Sequence, residues 1–202
     1  MNEKPILFNA EMVNAILSGR KTQTRRIISE KTLHLFGVAA SAGECHPIEL
    51  CDQRSQSYYL DFCPLGKPGD QLWVREAFAA GLCTESTLAY RATHKTEDLE
   101  EGWGETIKWT PSIHMPRWAS RINLLITGVR VERLRDISQE DAQAEGMELT
   151  GWRPTYSDPD SGGEYETPYD NFAELWISIY GEESWQANPW VWVIEFERME
   201  AK

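Results

Sequence analysis

The feature that most constrains this chain is a basic run at residues 19–26 that directly follows a short amphipathic segment. Spacing of the apolar residues Met12, Val13, Ile16 and Leu17 predicts a helix over 10–18 with one buried face. Asn9 can cap the start of this helix, and Gly19 favours its end. The basic run therefore lies where the backbone changes direction, a position at which functional side chains are often held.

Within this run, Lys21 and Thr24 are three residues apart in positively charged surroundings. Such a pair can bind an anion, or the threonine can be activated as a nucleophile. On local sequence alone a structural role is favoured, in which the basic residues bind the last carbonyls of the helix and complement its dipole.

The same run resembles the opening motif of the ASCH domain family, a group of small PUA-like β-barrels linked to RNA. That motif reads Gly-x-Lys-x-x-x-x-Arg after a helix, and here Gly19, Lys21 and Arg26 take the corresponding places, with Thr24 between them. Three further segments extend the resemblance. Residues 67–74 resemble a Pro-Gly-Asp turn and its strand, 136–147 the helix after the central strands, and 192–196 the closing strand.

The resemblance implies an α+β fold, a PUA-like (ASCH) β-barrel with a few flanking helices. It implies a single domain over 1–202 with insertions at about 29–64, 93–118 and 151–166. The four matching segments cover less than half of the chain. The remainder resembles longer ASCH-type proteins of tailed phages and prophages.

Residues 16–24 also resemble a run in the N4-acetylcytidine amidohydrolases of this family. This resemblance implies an amide hydrolase that removes an acyl group from a modified nucleoside or base. It places the catalytic lysine, threonine and glutamate on Lys21, Thr24 and Glu145, and it implies no cofactor and no metal.

The sequence leaves the role of each triad residue open. Glu145 lies at the end of a predicted helix, where it is either a general base or a solvated glutamate. Lys21 either stays cationic and stabilises an oxyanion or is neutral and acts as a base toward Thr24. Thr24 is a nucleophile, a group that positions water, or an ordinary strand threonine.

Candidate substrate-binding residues lie in two parts of the chain. Near the triad, Arg26 and Arg25 are candidates for contact with a ribose or phosphate. The alternative for both is a solvated strand edge, which we expect for Arg25. Arg20 is a further candidate for substrate binding. Aromatic residues interleave with arginine between 109 and 121, a pattern that suits base stacking and phosphate contact. The candidates are His114, Arg117 and Trp118 from this segment and Trp73 from the strand expected at 71–76. The alternatives are a loop pinned by a buried tryptophan and, for His114, a structural histidine.

The group of candidates between 109 and 121 supports another function, binding of RNA or single-stranded nucleic acid. A ribonuclease is a variant of this second function. The net charge of −12 argues against nonspecific coating of nucleic acid. Because the first 31 residues are net basic and 136–170 strongly acidic, we expect a local basic site on an acidic body. Expected partners are therefore a small nucleoside or RNA, with a phage or host protein as a third possibility.

No apolar run is long enough for a membrane span and no signal region is evident, so we expect a cytoplasmic protein without membrane contact. Of the four cysteines, Cys45, Cys51 and Cys63 could join His46 in ligating zinc, but their irregular spacing favours free thiols.

The coarse pattern predicts entry, central and closing strands separated by helices. Strands are expected at 4–7, 25–28, 71–76, 88–92 and 190–196, together with a strand pair in 121–134 that has a break or bulge near Gly128. Helices are expected from Ser138 to Gly146 and from Pro168 onward, the latter with a buried stripe of Phe172, Leu175, Trp176 and Ile179. Loops are expected over 29–64, 93–110 and 151–166.

Overall fold

The computed structural model describes residues 2–50, 52–81, 87–103, 106–147, 150–153 and 164–200. Its strands are β1 (Glu3–Leu7), β2 (Gln23–Ile27), β3 (Gln71–Arg75), β4 (Phe78–Ala80), β5 (Leu88–Tyr90), β6 (Asn123–Arg133), β7 (Thr150–Arg153), β8 (Glu164–Glu166) and β9 (Trp190–Arg198). Its helices are α1 (Ala10–Leu17), α2 (Glu30–Ser41), α3 (Gln53–Leu60), α4 (Thr96–Trp103), α5 (Gln139–Ala144), α6 (Pro168–Tyr180) and α7 (Glu182–Gln186).

Five strands form one mixed sheet in the order β1-β3-β6-β9-β2. Strand β1 runs parallel to β3, whereas β3 with β6 and β2 with β9 are antiparallel. Two further pairs, β4 with β5 and β7 with β8, form small antiparallel sheets. The prediction of an α+β fold is confirmed.

By its internal contacts the chain divides into two compact units. Unit 1 comprises Met1–Gly19, Pro64–Thr127 and Phe196–Lys202, and unit 2 comprises Arg20–Cys63 and Gly128–Glu195. The basic run, apart from Gly19, lies in unit 2 together with Glu145. The aromatic and arginine-rich segment that includes Trp118 lies in unit 1.

In unit 1, the helix predicted after the entry strand is confirmed. The Asn9 side chain accepts a hydrogen bond from the Met12 amide at 2.8 Å, and the helix ends before Gly19, whose φ is 78°. A positive φ is cheap for glycine and costly for other residues, so Gly19 lets the chain reverse toward the basic run. Val13 and Ile16 are buried, as the spacing predicts.

In unit 2, the helix predicted at Pro168 is confirmed with its cap. Thr167 and Asp170 form a reciprocal capping box before Pro168. Phe172 and Trp176 are buried in a core that α6 shares with α5, α7 and β9. The predicted stripe is wrong at Ile179, which is 48% exposed, because Ile177 packs against this core instead.

Two segments predicted as loops contain helices. Helix α2 begins after the Ser29 cap, and its Phe36 ring lies 4.7 Å from Tyr59 of α3. The two residues are far apart in sequence, and this contact stabilises helices that the local sequence pattern does not predict. In unit 1, α4 likewise lies within 93–110.

The central strands also differ from expectation. Strand β6 is one continuous strand through Gly128, where two strands with a break or bulge between them were expected. Strand β9 was expected to alternate, but Val191 and Val193 are fully buried along with Trp192. The two valines pack in the core of α6, while Trp192 meets Phe36 edge-on at 6.1 Å. Both faces of this strand are therefore covered, which removes the alternation of buried and exposed residues.

Several predictions fall outside the described residues. These concern the thiols of Cys51 and of the fourth cysteine, Cys83, and residues 104–105 and 154–163 of the expected loops. Cys45 and Cys63 carry free thiols. Within the described ranges, no helix has both the length and the apolar character needed to cross a membrane.

Candidate functional site

Backbone hydrogen bonds connect the start of the basic run to the end of α5. Ser138 caps α5 by accepting a hydrogen bond from the Asp141 amide, and Glu145 forms its C-terminal cap. Thr22 donates its amide proton to the Ala144 carbonyl at 2.8 Å, and Lys21 and Glu145 form a β-bridge. These backbone contacts bring two residues 124 positions apart in sequence to the same point in unit 2.

Lys21 and Glu145 make a buried ion pair. The Lys21 ammonium donates to Glu145 Oε2 at 2.6 Å and to the Glu145 carbonyl at 2.9 Å. The Lys21 side chain has no exposed surface, and the Glu145 side chain is 4% exposed. Of the two interpretations of Glu145 left open by the sequence, the solvated glutamate is wrong.

Burial sets the electrostatics of Lys21. Desolvation lowers the pKa of the Lys21 ammonium, and the adjacent Glu145 carboxylate opposes this shift only in part. The neighbouring cations Arg25 and Arg26 lower it further. Lys21 therefore releases its proton more readily than an exposed lysine does.

Arg25 is the main residue that the sequence interpretation missed. We expected a solvated strand edge, but its guanidinium is fully enclosed. Arg25 Nη1 donates to Glu145 Oε1 at 3.1 Å, while Nε and Nη2 contact Glu132 and Nη2 lies 3.3 Å from Asp141 Oδ2. Both oxygens of Glu145 thus face a cation, Lys21 on one side and Arg25 on the other.

These contacts belong to a larger carboxylate–guanidinium network, which consists of Arg25, Arg130, Glu132, Asp141, Glu145 and Glu195. Arg130 joins it by bonding to Glu132, Asp141 and Glu195. Gln23 Nε2 donates to the carbonyl and to the side chain of Asp141. The network neutralises the arginine and lysine charges here, so the expected local basic site is in fact balanced by carboxylates.

One sequence signal could have pointed to this network. Asp141 and Glu145 are four residues apart within the helix predicted from Ser138 to Gly146, a spacing that places both carboxylates on one helix face. Glu132 and Glu195 carry no such signal, because only the pairing of strands brings them near.

The third candidate catalytic residue, Thr24, lies on β2 and is 1% exposed. Its Oγ1 accepts a hydrogen bond from Arg26 Nη1 at 2.7 Å. Burial lowers the pKa of the Arg26 guanidinium. Arg20 is exposed and donates to the Gly146 carbonyl at 3.3 Å. The described contacts thus group these candidates as the pairs Lys21–Glu145 and Thr24–Arg26.

The remaining candidates lie in unit 1. Trp73 is 8% exposed, and the guanidinium groups of Arg75 and Arg117 lie 4.9 and 5.8 Å from its ring centre. Arg117 also makes a bidentate ion pair with Glu3. His114 is exposed, and Trp118 is 67% exposed.

The segment that carries Trp118 is held firmly at its inner side. Met115 and Ala119 are buried, Arg75 Nε donates to the Met115 carbonyl at 3.0 Å, and the Tyr90 hydroxyl donates to the Ala119 carbonyl at 2.9 Å. A flat aromatic surface is therefore presented outward from a fixed backbone.

Within the described residues, no three histidine, cysteine, aspartate or glutamate side chains are grouped so as to hold a metal ion. Comparison with protein-family models, curated proteins and solved structures gave no match to this chain.

Proposed function

We propose that this protein is an amide hydrolase with a PUA-like ASCH fold that removes an acyl group from a modified nucleoside or base of the N4-acetylcytidine type. The sequence resemblance at residues 16–26 and the mixed sheet of an α+β fold support this proposal. The observation that carries it is the contact between Lys21 and Glu145, which joins two residues that the resemblance alone connected.

The chemistry of such a site follows from the two pairs. Water adds across the amide: its oxygen bonds to the acyl carbon, the carbon–nitrogen bond breaks, and the nitrogen gains a proton. Glu145 is the group that accepts the proton of the attacking nucleophile. The Lys21 ammonium stabilises the negative charge that develops on the carbonyl oxygen, an effect that is strong in a water-excluded site. The Thr24 hydroxyl, whose oxygen accepts a hydrogen bond from Arg26, positions the attacking water.

Enclosure of the site imposes one requirement. Because the Lys21 side chain has no exposed surface, the acyl group reaches it only after neighbouring atoms move aside. Opening and closure of this kind accompany catalysis in many enzymes, since they exclude water from the reaction.

Incubation of the purified protein with N4-acetylcytidine tests the proposal. Release of cytidine and acetate is expected from the wild-type chain, and Lys21→Met should abolish it. Lys31→Met is the matched control, since it removes one lysine charge at an exposed position of α2. Absence of hydrolysis by the wild type, or full activity of Lys21→Met, would refute the proposed function.

A second candidate function is binding of RNA or single-stranded nucleic acid through the surface around Trp118. The exposure of this tryptophan on a fixed backbone favours it, because bases stack on such rings. Titration with a fluorescent single-stranded oligonucleotide at low and moderate salt tests this candidate. Binding that weakens with salt supports phosphate contact, whereas no binding at low salt argues against the function.

A further inference from the structure

We infer that Arg25 is a positioning residue that holds Glu145 in the orientation needed for amide hydrolysis. This inference rests on the proposed function. It adds a residue to the proposed site, because the family motif described above specifies no residue type at position 25.

Arg25 lies in the interior of the protein, which is unusual for an arginine. It is among the largest fully buried side chains, on a strand that ends the five-stranded sheet. Enclosing a guanidinium in this way is unfavourable unless its donors are used. Arg25 uses Nε, Nη1 and Nη2 on the carboxylates of Glu132, Glu145 and Asp141.

The geometry at Glu145 shows what this arrangement does. Lys21 binds Oε2 and Arg25 binds Oε1, so the carboxylate is held at both oxygens and its plane is fixed. With Lys21 alone, the carboxylate could turn about its own axis and still keep one hydrogen bond. A planar guanidinium restricts that rotation, because its donors have a fixed direction.

Arg25 is itself fixed by contacts on the side away from Lys21. Glu132 on β6 and Asp141 on α5 bind its guanidinium. The Arg25 guanidinium lies 5.7 Å from the centre of the Phe172 ring, a contact that adds an apolar wall. Groups that orient a reacting residue in this way act without touching the substrate.

Arg25→Lys tests the inference with N4-acetylcytidine as substrate. Lysine retains the positive charge and loses the planar set of donors, so the variant removes orientation rather than charge. We expect kcat to fall by about 10- to 100-fold, because small displacements of a reacting group have effects of this size. KM should change by less than about threefold, since Arg25 is not a binding residue.

Arg130→Lys is the matched control. It replaces another arginine of the same network, with bonds to Glu132, Asp141 and Glu195 instead of Glu145. We expect its kcat to stay within about threefold of the wild type. Thermal unfolding of both variants identifies any loss of activity that results from misfolding. If Arg25→Lys does not fold, the double variant Arg25→Met with Glu132→Gln, which removes one opposing charge at the same time, replaces it.

The outcomes separate the two proposals. Activity in the wild type with a selective fall of kcat in the Arg25 variant supports both. Activity in the wild type with equal kcat for the Arg25 and Arg130 variants overturns the positioning role and leaves the hydrolase intact. Inactivity of the wild type overturns the hydrolase, and with it the role of Arg25.

Discussion

The Lys21 ammonium binds the side chain and the backbone carbonyl of Glu145 simultaneously, at 2.6 and 2.9 Å. The backbone contact depends only on where α5 ends, whereas the side-chain contact depends on the charge of Glu145. Lys21 therefore stays close to the end of α5 even when Glu145 is replaced, and substitutions at Glu145 change the charge around Lys21 more than its position.

Burial of Lys21 predicts a dependence of stability on pH. The pKa of Lys21 lies below its unfolded value of 10.5 in the folded protein. Between the two values the unfolded chain binds more protons, so the free energy of unfolding rises with pH across that interval. The cost of burying the charged form is largest below the folded pKa.

Urea unfolding from about pH 7 to about pH 10 measures this effect in the wild type and in Lys21→Met. The wild type should gain stability relative to Lys21→Met as the pH approaches 10.5. Lys31→Met, at an exposed position, should run parallel to the wild type. A constant difference between the wild type and Lys21→Met would show that Lys21 has an ordinary pKa.

Arg25 and Arg130 should differ in their contributions to stability. Arg25→Met leaves Glu132 and Asp141 without their fully buried partner and leaves Glu145 with Lys21 alone. Removal of one member of a buried charge group costs about 3–5 kcal/mol. Arg130 is 31% exposed, so water partly replaces it, and Arg130→Met should cost about 1–2 kcal/mol. Urea unfolding of both variants gives the comparison. Equal losses would show that burial of Arg25 does not set its contribution.

The sequence predicted the local parts of this fold because their signals are local. Asn9 and Ser138 cap helices where predicted, and α6 begins at Pro168 as predicted, since a capping residue acts on amides two or three positions away. The sequence did not predict α2 and α3, because their stability comes from aromatic contacts such as that of Phe36 with Trp192. Such contacts between distant residues override local propensity.

The candidate site was predictable only in part for the same reason. Lys21 and Glu145 could be paired through the resemblance, whereas local sequence favoured capping of the helix end for Lys21 and a solvated position for Glu145. The burial of Arg25 was not predictable, because an arginine in a strand is usually exposed. Its partners Glu132 and Asp141 come from other elements, and their proximity depends on how β2, β6 and α5 pack in unit 2.

Gly128 should be required by the side chain of Glu195. A Cβ atom at position 128 would lie 2.5 Å from Glu195 Oε2 and 3.1 Å from its Cδ. When Glu195 moves aside, its ion pair with Arg130 is disturbed, because Arg130 binds Glu195 Oε1. Gly128→Ala should therefore cost about 1–3 kcal/mol, as overpacked substitutions do.

A double-mutant cycle isolates this effect. In a Glu195→Ala background both clashing atoms are absent, so Gly128→Ala should cost less than about 1 kcal/mol. Glu195→Ala and the double variant both lack the contact between Arg130 and Glu195, so this loss cancels when their stabilities are compared. Additive effects of the two substitutions would exclude a steric role for Glu195.

The Thr167 cap of α6 should contribute measurably to the stability of the core. Thr167 Oγ1 accepts from the Asp170 amide, and the Thr167 amide donates to Asp170 Oδ2 at 2.9 Å. Thr167→Ala should lower the free energy of unfolding by about 1 kcal/mol, while Thr167→Ser should leave it nearly unchanged. Urea unfolding followed by tryptophan fluorescence suits the test, because Trp176 of α6 is buried. Equal losses in both variants would assign the effect to the threonine methyl group.

Trp118 should be dispensable for stability but required if the protein binds single-stranded nucleic acid. Because its ring is 67% exposed, Trp118→Ala should change the free energy of unfolding by less than about 0.5 kcal/mol. If bases stack on this ring, the same substitution should weaken oligonucleotide binding by about 1–3 kcal/mol. Fluorescence anisotropy measures the binding. Ile113→Ala is the control, since Ile113 is 60% exposed in the same segment and offers no aromatic face. Affinity that falls equally in both variants would indicate nonspecific apolar contact, and unchanged affinity in Trp118→Ala would exclude stacking on this surface.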